Sequence, residues 1–399
     1  MKSQSNIQSK KELIPDARWR DFGKHFLRLE NSHDESASQD FYLEMYRFLG
    51  KVLGPERKTV YELKIKKEFK EKYGHSPKDR HQVRNAVKNS PFFQFWGHMR
   101  SNINQEMFYK NQLIVERQIK NLESKAKVRP KKNMGKLALN PDLKVPKYQS
   151  FDMHWMPGGY HTEISDKGDI SAGALYDSGG IYLMTNGSLG PFNDGAAYSL
   201  INFLRKDLPH FKPKNILDLG CTVGHNTLPF KEFWPLAKVT GIDLGAPVLR
   251  YAHARSTKMG YAINYSQQNA EKTDFKNSSF DLVVSTMFLH ETSKKAISKI
   301  FKETYRILKP GGLMVHVEQP PFRYFDDPYE QFVRDWDTHN NNEPFWGPMH
   351  DLDLNKIAYN SGFKKENIFE KMIPLIKPEV KNKFSKGVGE WFIFAGWKL

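Results

Sequence analysis

Asp218 and Asp243 each sit at or near the end of a short apolar run, and the first leads at once into Gly220, Cys221, Thr222, Val223 and Gly224. Residues 215–226 read Asn-Ile-Leu-Asp-Leu-Gly-Cys-Thr-Val-Gly-His-Asn, a buried strand that ends in a tight turn. Gly220 lets the backbone turn sharply and come close to a ligand, while Gly224 lets the next helix start close against the strand. A dinucleotide fingerprint, G-x-G-x-x-G, requires glycine where this chain has Thr222 and His225, so the pyrophosphate cradle is missing. Asp218 suits an ammonium group better than a pyrophosphate. Asp243, closing Val239-Thr240-Gly241-Ile242-Asp243, is placed to accept hydrogen bonds from both hydroxyls of a ribose. One nucleoside carrying an amino-acid tail satisfies both acids.

Holding two such acids side by side is the work of a parallel sheet. Apolar runs predict strands over 214–219, 238–243, 263–268, 280–286 and 312–318, and helical spacing predicts helices over 193–206, 225–235, 246–258 and 292–307. This is the alternation of a doubly wound α/β fold, whose ligands lie beyond the carboxyl ends of the strands. Over 319–350 the alternation lapses into a loop-rich insertion with Pro320-Pro321-Phe322, Trp336, three asparagines and Phe345-Trp346, a candidate substrate cover. A helix over 351–361 and strands over 364–373 and 391–397 complete the half.

Segments 216–224 and 241–244 resemble the first two motifs of class I S-adenosylmethionine-dependent methyltransferases. Asn269-Ala270-Glu271 resembles the segment that contacts adenine in that family, and residues 280–287, Phe-Asp-Leu-Val-Val-Ser-Thr-Met, resemble its fourth strand, beneath the methionine part. Residues 305–313, Tyr-Arg-Ile-Leu-Lys-Pro-Gly-Gly-Leu, resemble its turn into the fifth strand. The resemblance spans roughly 193–399. It implies a Rossmann-like α/β fold with a mostly parallel seven-stranded sheet and a closing antiparallel hairpin, preceded here by an all-α amino-terminal domain. It also implies S-adenosyl-L-methionine held by Asp218, Gly220, Cys221, Gly224, Asp243, Leu244, Asn269, Ala270 and Thr286, with Tyr176 from a lead-in segment folded over it. Thr222 stands where the family has a second glycine and Asn269 where aspartate is common. An asparagine still bonds the adenine amino edge.

Methyl transfer from a sulfonium is an in-line displacement, so the protein aligns the partners and excludes water, and a base is needed only if the nucleophile arrives protonated. His290 and Glu291 directly follow the fourth strand and Glu318 ends the fifth, which makes them the catalytic candidates. His290 also reads as a helix-start residue bonded to backbone. His154, His161, Trp346 and His350 lie on segments that cover the site and are candidate substrate contacts, although a lone loop histidine also reads as polar surface. No H-x-x-x-H spacing suggests a metal. The expected activity is methyl transfer to an oxygen, nitrogen or carboxylate acceptor of a small, partly apolar molecule. An RNA methyltransferase with a basic amino-terminal binding domain and a noncatalytic protein that binds the cofactor remain as alternatives.

The chain of 399 residues is long enough for two domains. The sequence divides into a basic helical region 1–127, a linker 128–148 with three prolines, a lead-in 149–192, and the methyltransferase-like region 193–399 with its insertion 319–350. Residues 1–150 hold 32 Lys and Arg against 17 Asp and Glu, whereas residues 151–399 are nearly balanced. Such asymmetry fits either an anionic partner, RNA among them, or a solvated lysine-rich helical surface. In the helical region Trp19, Phe22, Phe26 and Leu27 predict one apolar face, and Phe41, Met45, Phe48 and Leu49 predict a second. Helices are also predicted over 56–73 and, as one or two, over 92–125. In small-molecule methyltransferases such a region often builds a homodimer interface. Glycine pairs at 158–159 and 179–180 predict turns between short extended arms, with Tyr182 beside Tyr176 as a second candidate ligand contact. The lone cysteine excludes an internal disulfide framework. With no apolar stretch near the roughly 20 residues of a spanning helix and no secretory leader, the chain reads as cytoplasmic.

Overall fold

Aliphatic side chains buried on both faces build the centre of the sheet. Ile216, Leu217, Val239, Ile242, Leu282, Val283, Val284, Leu313, Val315 and Val317 are all fully buried, the pattern of strands covered on both sides by helices. The computed structural model describes residues 20, 24–128, 134–165, 168–185 and 187–399, with the side chains of Tyr182 and Asn382 excepted. Within it eight strands make one sheet: β1 (Leu137–Ala138), β2 (Asn215–Leu219), β3 (Lys238–Asp243), β4 (Ile263–Gln267), β5 (Phe280–Thr286), β6 (Leu308–Glu318), β7 (Ile368–Pro378) and β8 (Phe384–Lys398). Their order is β1-β4-β3-β2-β5-β6-β8-β7. Strands β1 to β6 pair in parallel, and β8 runs antiparallel between β6 and β7. The doubly wound sheet and its closing hairpin are thus as the sequence predicts. One strand is added: part of the expected linker pairs with the edge of β4, Leu137 opposite Tyr265. A two-residue strand carries too little pattern to be read from sequence.

The amino-terminal helices do not stand apart. His33–Lys51 is started by a capping box of Ser32 and Glu35, and Pro91–Ala126 is one unbroken helix of 36 residues, or about 54 Å. Between them, Leu53–Tyr73 is continuous through a π segment at Tyr61–Ile65. Their buried residues Tyr46, Trp96, Met107 and Leu122 share one core with Leu175 of the lead-in, Val223 of the glycine turn, Tyr251, and Phe332 and Trp336 of the insertion. The buried face of the first helix is Tyr42, Tyr46 and Leu49, whereas Phe41 and Phe48 are exposed. Both stripes have helical spacing, so only the packing partner chooses between them. Leu27 is buried and Phe26 packs beside it; Trp19, Phe22 and residues 1–10 lie outside the described residues, as does the Tyr182 side chain.

Two more expectations change. The lead-in is helical over Ser171–Met184, with a π segment at Tyr176–Gly180, in place of extended arms. Gly179 and Gly180 lie inside this helix, where a Cβ would strike Asn111 or Phe108 of the long helix, so they serve close packing and not a turn. The insertion, expected to be loop-rich, forms three short helices, Pro328–Arg334, Trp336–Asn340 and Trp346–His350. None of the described helices is long and apolar enough to cross a membrane.

Candidate active site

Parallel pairing sets Asp218 opposite Gly241 and Leu219 opposite Ile242, so the tips of β2 and β3 end at the same level. Asp218 and Asp243 line one cleft together with Gly220, Cys221, Leu244, Asn269, Ala270, Thr286 and Tyr176. Gly220 and Gly224 both have positive φ, at 66° and 75°. A Cβ on Gly220 would collide with the Phe288 ring and one on Gly224 with the Tyr265 hydroxyl. Gly224 lies beneath the cleft without lining it. Thr222 holds φ at 43°, the left-handed region in which a β-branched residue is strained.

Both acids are short of partners. Asp218 accepts from the Thr227 hydroxyl at 2.5 Å, and burial with Asp243 nearby pushes its carboxyl up to about 7. Asp243 accepts from the amides of Gly245 at 2.9 Å and Thr222 at 3.0 Å, yet burial still pushes it up to about 6. No cation among the described residues lies within ion-pairing distance of either. The Cys221 thiol is buried and pushed far up by that burial, so it is inert.

Beyond Met287 and Glu291, which line both spaces, the cleft continues into a chamber of about 810 Å³. Here three segments distant in sequence bring together buried acids and histidines. Glu318 accepts from the amides of Phe288 at 3.0 Å and Leu289 at 2.7 Å, and its other oxygen takes His290 Nδ1 at 2.6 Å. Burial opposes protonation of His290, but Glu318, Glu343 and Glu291 outweigh it and raise the imidazole to about 9. His290 Nε2 and His154 Nδ1 each lie 3.6 Å from Glu343 Oε1. Asn341 donates to Glu343 Oε2 at 2.7 Å and to His154 Nδ1 at 3.0 Å, leaving His154 Nε2 for Glu291 at 3.1 Å. Tyr160 also donates to Glu291, at 2.9 Å. Burial raises Glu343, which is 1 % exposed. Among the described residues no group of three or more His, Cys, Asp or Glu is placed to hold a metal ion.

Residues 216–312 match the family described as methyltransferase domain. The sheet-bearing half of the chain is similar to the class I S-adenosylmethionine-dependent methyltransferases. Its relatives include the demethylmenaquinone methyltransferase of Thermus thermophilus, 33% identical over 27% of this chain and 49% of that protein. The malonyl-[acyl-carrier protein] O-methyltransferase of Legionella pneumophila is 24% identical over 37% of this chain and 56% of that protein. The chain spans about half the length of the curated relatives it matches. The PH0226 protein of Pyrococcus horikoshii OT3 is similar over 55% of this chain and 98% of its own, at 18% identity and a TM-score of 0.37, too low to bear on function.

The methyltransferase domain brings most of the expected site residues together and separates a few. Trp346 and His350 line the chamber, and the Trp346 ring packs 4.7 Å from His290. His350 donates from Nδ1 to the Trp346 carbonyl at 2.7 Å, and burial lowers it to about 4, so it is neutral. His161 lines the cofactor cleft and not the chamber. Glu318 lines neither space and acts only through His290 and the backbone it holds. Glu343 and Asn341 of the insertion escaped the sequence reading; an acid beside three asparagines has no local signature. His225 escaped it too. Its ring stacks on Tyr176 and its Nε2 bonds Asp177, which also receives His25 and the Tyr251 hydroxyl, each at 2.7 Å. Burial opposes ionisation of Asp177, yet Arg28 and these donors hold it well below the usual carboxylate range.

Proposed function

We propose that this methyltransferase moves the methyl group of S-adenosylmethionine to an oxygen, nitrogen or carboxylate acceptor on a small, partly apolar molecule. What carries the reading is the opening of the Asp218–Asp243 cleft, through Met287 and Glu291, into a chamber lined by His154, His290 and Glu343. Two buried acids with raised pKa and no cation partner among the described residues suit a ligand that brings an ammonium group and ribose hydroxyls. In this reading Asp218 takes the ammonium, Asp243 the ribose, and Leu244, Asn269 and Ala270 the adenine, while Tyr176 covers the group. When bound, S-adenosylmethionine supplies an electrophilic methyl group.

The chain's own residues then bind and orient the acceptor. His290, protonated at neutral pH, donates to it and is no base. Glu291 lines both spaces and is the carboxylate set to receive a proton that the acceptor loses. Glu318 positions His290, and the insertion supplies one wall of the chamber through Arg334, Asp337, Asn341, Glu343 and Trp346.

The basic amino-terminal charge is met partly within the chain. Arg80 and Arg84 face Asp335 at 3.3 and 3.4 Å, and Arg100 faces Asp337 at 3.4 Å, so acids of the insertion hold the helical region down. This weighs against a surface kept free for RNA. Exposed Phe41 and Phe48 are the residues through which the expected homodimer would form. Incubation with methyl-labelled cofactor, a metabolite extract and total RNA tests the proposal. Label on small molecules is the expected result; label on RNA alone, or cofactor binding without any transfer, would replace it by the corresponding alternative.

A further inference from the structure

Arg334 ends the helix Pro328–Arg334 and lines the chamber, with its guanidinium 3.8 Å over the Phe325 ring. Three other arginines bind the insertion through carboxylates, Arg80 to Asp335 and Asp351, Arg84 to Asp335 and Arg100 to Asp337, whereas Arg57 binds it through Tyr329 and packs on Trp96. Among the described residues Arg334 has none within ion-pairing distance, and its buried Nε has no hydrogen-bond partner. Glu330, one turn away, bonds Lys58. The chamber's inner acids face other groups: Asp337 faces Arg100, Glu343 accepts from Asn341 with its second oxygen 3.6 Å from His154 and His290, and Glu291 accepts from His154 and Tyr160. Glu390 is exposed, and its carboxylate makes no ion pair among the described residues. Arg334 is half-buried without a counterion among the described residues, which is unfavourable, and that burial weakens its hold on its proton. A guanidinium in that state is a docking point for an anion.

Location supports this. Trp346 joins the two ends of the chamber, since its indole N–H donates to the Arg334 carbonyl at 2.8 Å and its ring packs on His290. Phe322, Phe325 and Trp391 supply apolar wall around it. We propose that Arg334 anchors an anionic group of the methyl acceptor. The acceptor is then a lipophilic acid, with a carboxylate, sulfate or phosphate on Arg334, an apolar body along Trp346, and a separate reactive atom toward His290 and Glu291. This rests on the methyl-transfer reading and adds the chemical class of its substrate.

The test uses the full chain with and without S-adenosylhomocysteine and two isosteric probes, 2-naphthoate and 2-naphthamide, titrated by calorimetry. Naphthoate is expected to bind at least about tenfold more tightly than naphthamide. Arg334→Met, which keeps an apolar contact with Phe325, should remove that preference with naphthamide affinity unchanged, and Arg334→Lys should keep part of it. Equal affinity of the unsubstituted chain for the two probes, binding of neither, or a preference that survives Arg334→Met would overturn the proposal. The comparison within the unsubstituted chain does not depend on how the variants fold. Failure to take up S-adenosylhomocysteine would strike instead at the donor reading, and the probe preference measured without it is judged separately.

Discussion

His225 Nε2 lies 2.7 Å from Asp177 Oδ1, so the turn that follows β2 is bonded to the same buried carboxylate as His25 of the amino-terminal region. Arg28 reinforces the junction by donating to the Asp177 carbonyl at 2.8 Å. Three chain segments meet on one fully buried negative charge, one residue from Tyr176 in the cofactor cleft.

Asp177→Asn should therefore destabilise the whole fold by about 3 kcal/mol, because the Arg28 guanidinium loses its counter-charge and two neutral imidazoles lose a charged acceptor. Urea unfolding measures it. An unchanged midpoint would show that the amino-terminal region is held by its apolar core alone.

Asp243→Ala should weaken S-adenosylhomocysteine binding by about 10- to 100-fold, the worth of hydrogen bonds to a charged acceptor. Calorimetry decides, and affinity within about twofold of the unsubstituted chain would remove Asp243 from the cofactor site.

The same titration has a pH dependence with a definite sign. Asp218 is raised to about 7 and Asp243 to about 6. An ammonium ligand favours ionised Asp218, so binding releases a proton and affinity rises with pH up to about 7, then levels. Below that the loss is at most about tenfold per unit for one group. A flat profile from pH 5.5 to 8 would place the ammonium away from Asp218.

His290→Ala should lower turnover by about 100-fold or more with cofactor affinity nearly unchanged. Since Glu318 and Glu343 keep the imidazole charged up to about pH 9, kcat/KM should persist to that pH and fall above it. Glu343→Gln removes one of the raising charges and should move the fall to lower pH. Full activity in His290→Ala would make the residue structural only.

Thr222→Gly tests the strained turn. Glycine relieves the positive φ but costs unfolded-chain entropy, so stability should stay level or rise by about 1 kcal/mol at most. A loss larger than that, by thermal unfolding, would mean that the threonine side chain holds the turn.

The glycine turn, the two strand-tip acids and the alternation of strands and helices were legible in the sequence because each is local. An apolar run, a glycine at a fixed offset and an acid at a run's end lie within a dozen residues, and parallel pairing then leaves few places for them to go. The helical lead-in was not legible, since Gly179 and Gly180 look like a turn until the long helix is seen to press against them. Nor was the buried side of the first helix, because Phe41 and Phe48 repeat at the same period as Tyr42 and Leu49. His154, His290 and Glu343 come from three segments, and Arg334 is set apart only by lacking a carboxylate partner among the described residues. Cofactor class therefore follows from short-range pattern. The acceptor's surroundings were decided only by tertiary packing, because a buried charge takes its meaning from the groups that surround it in space.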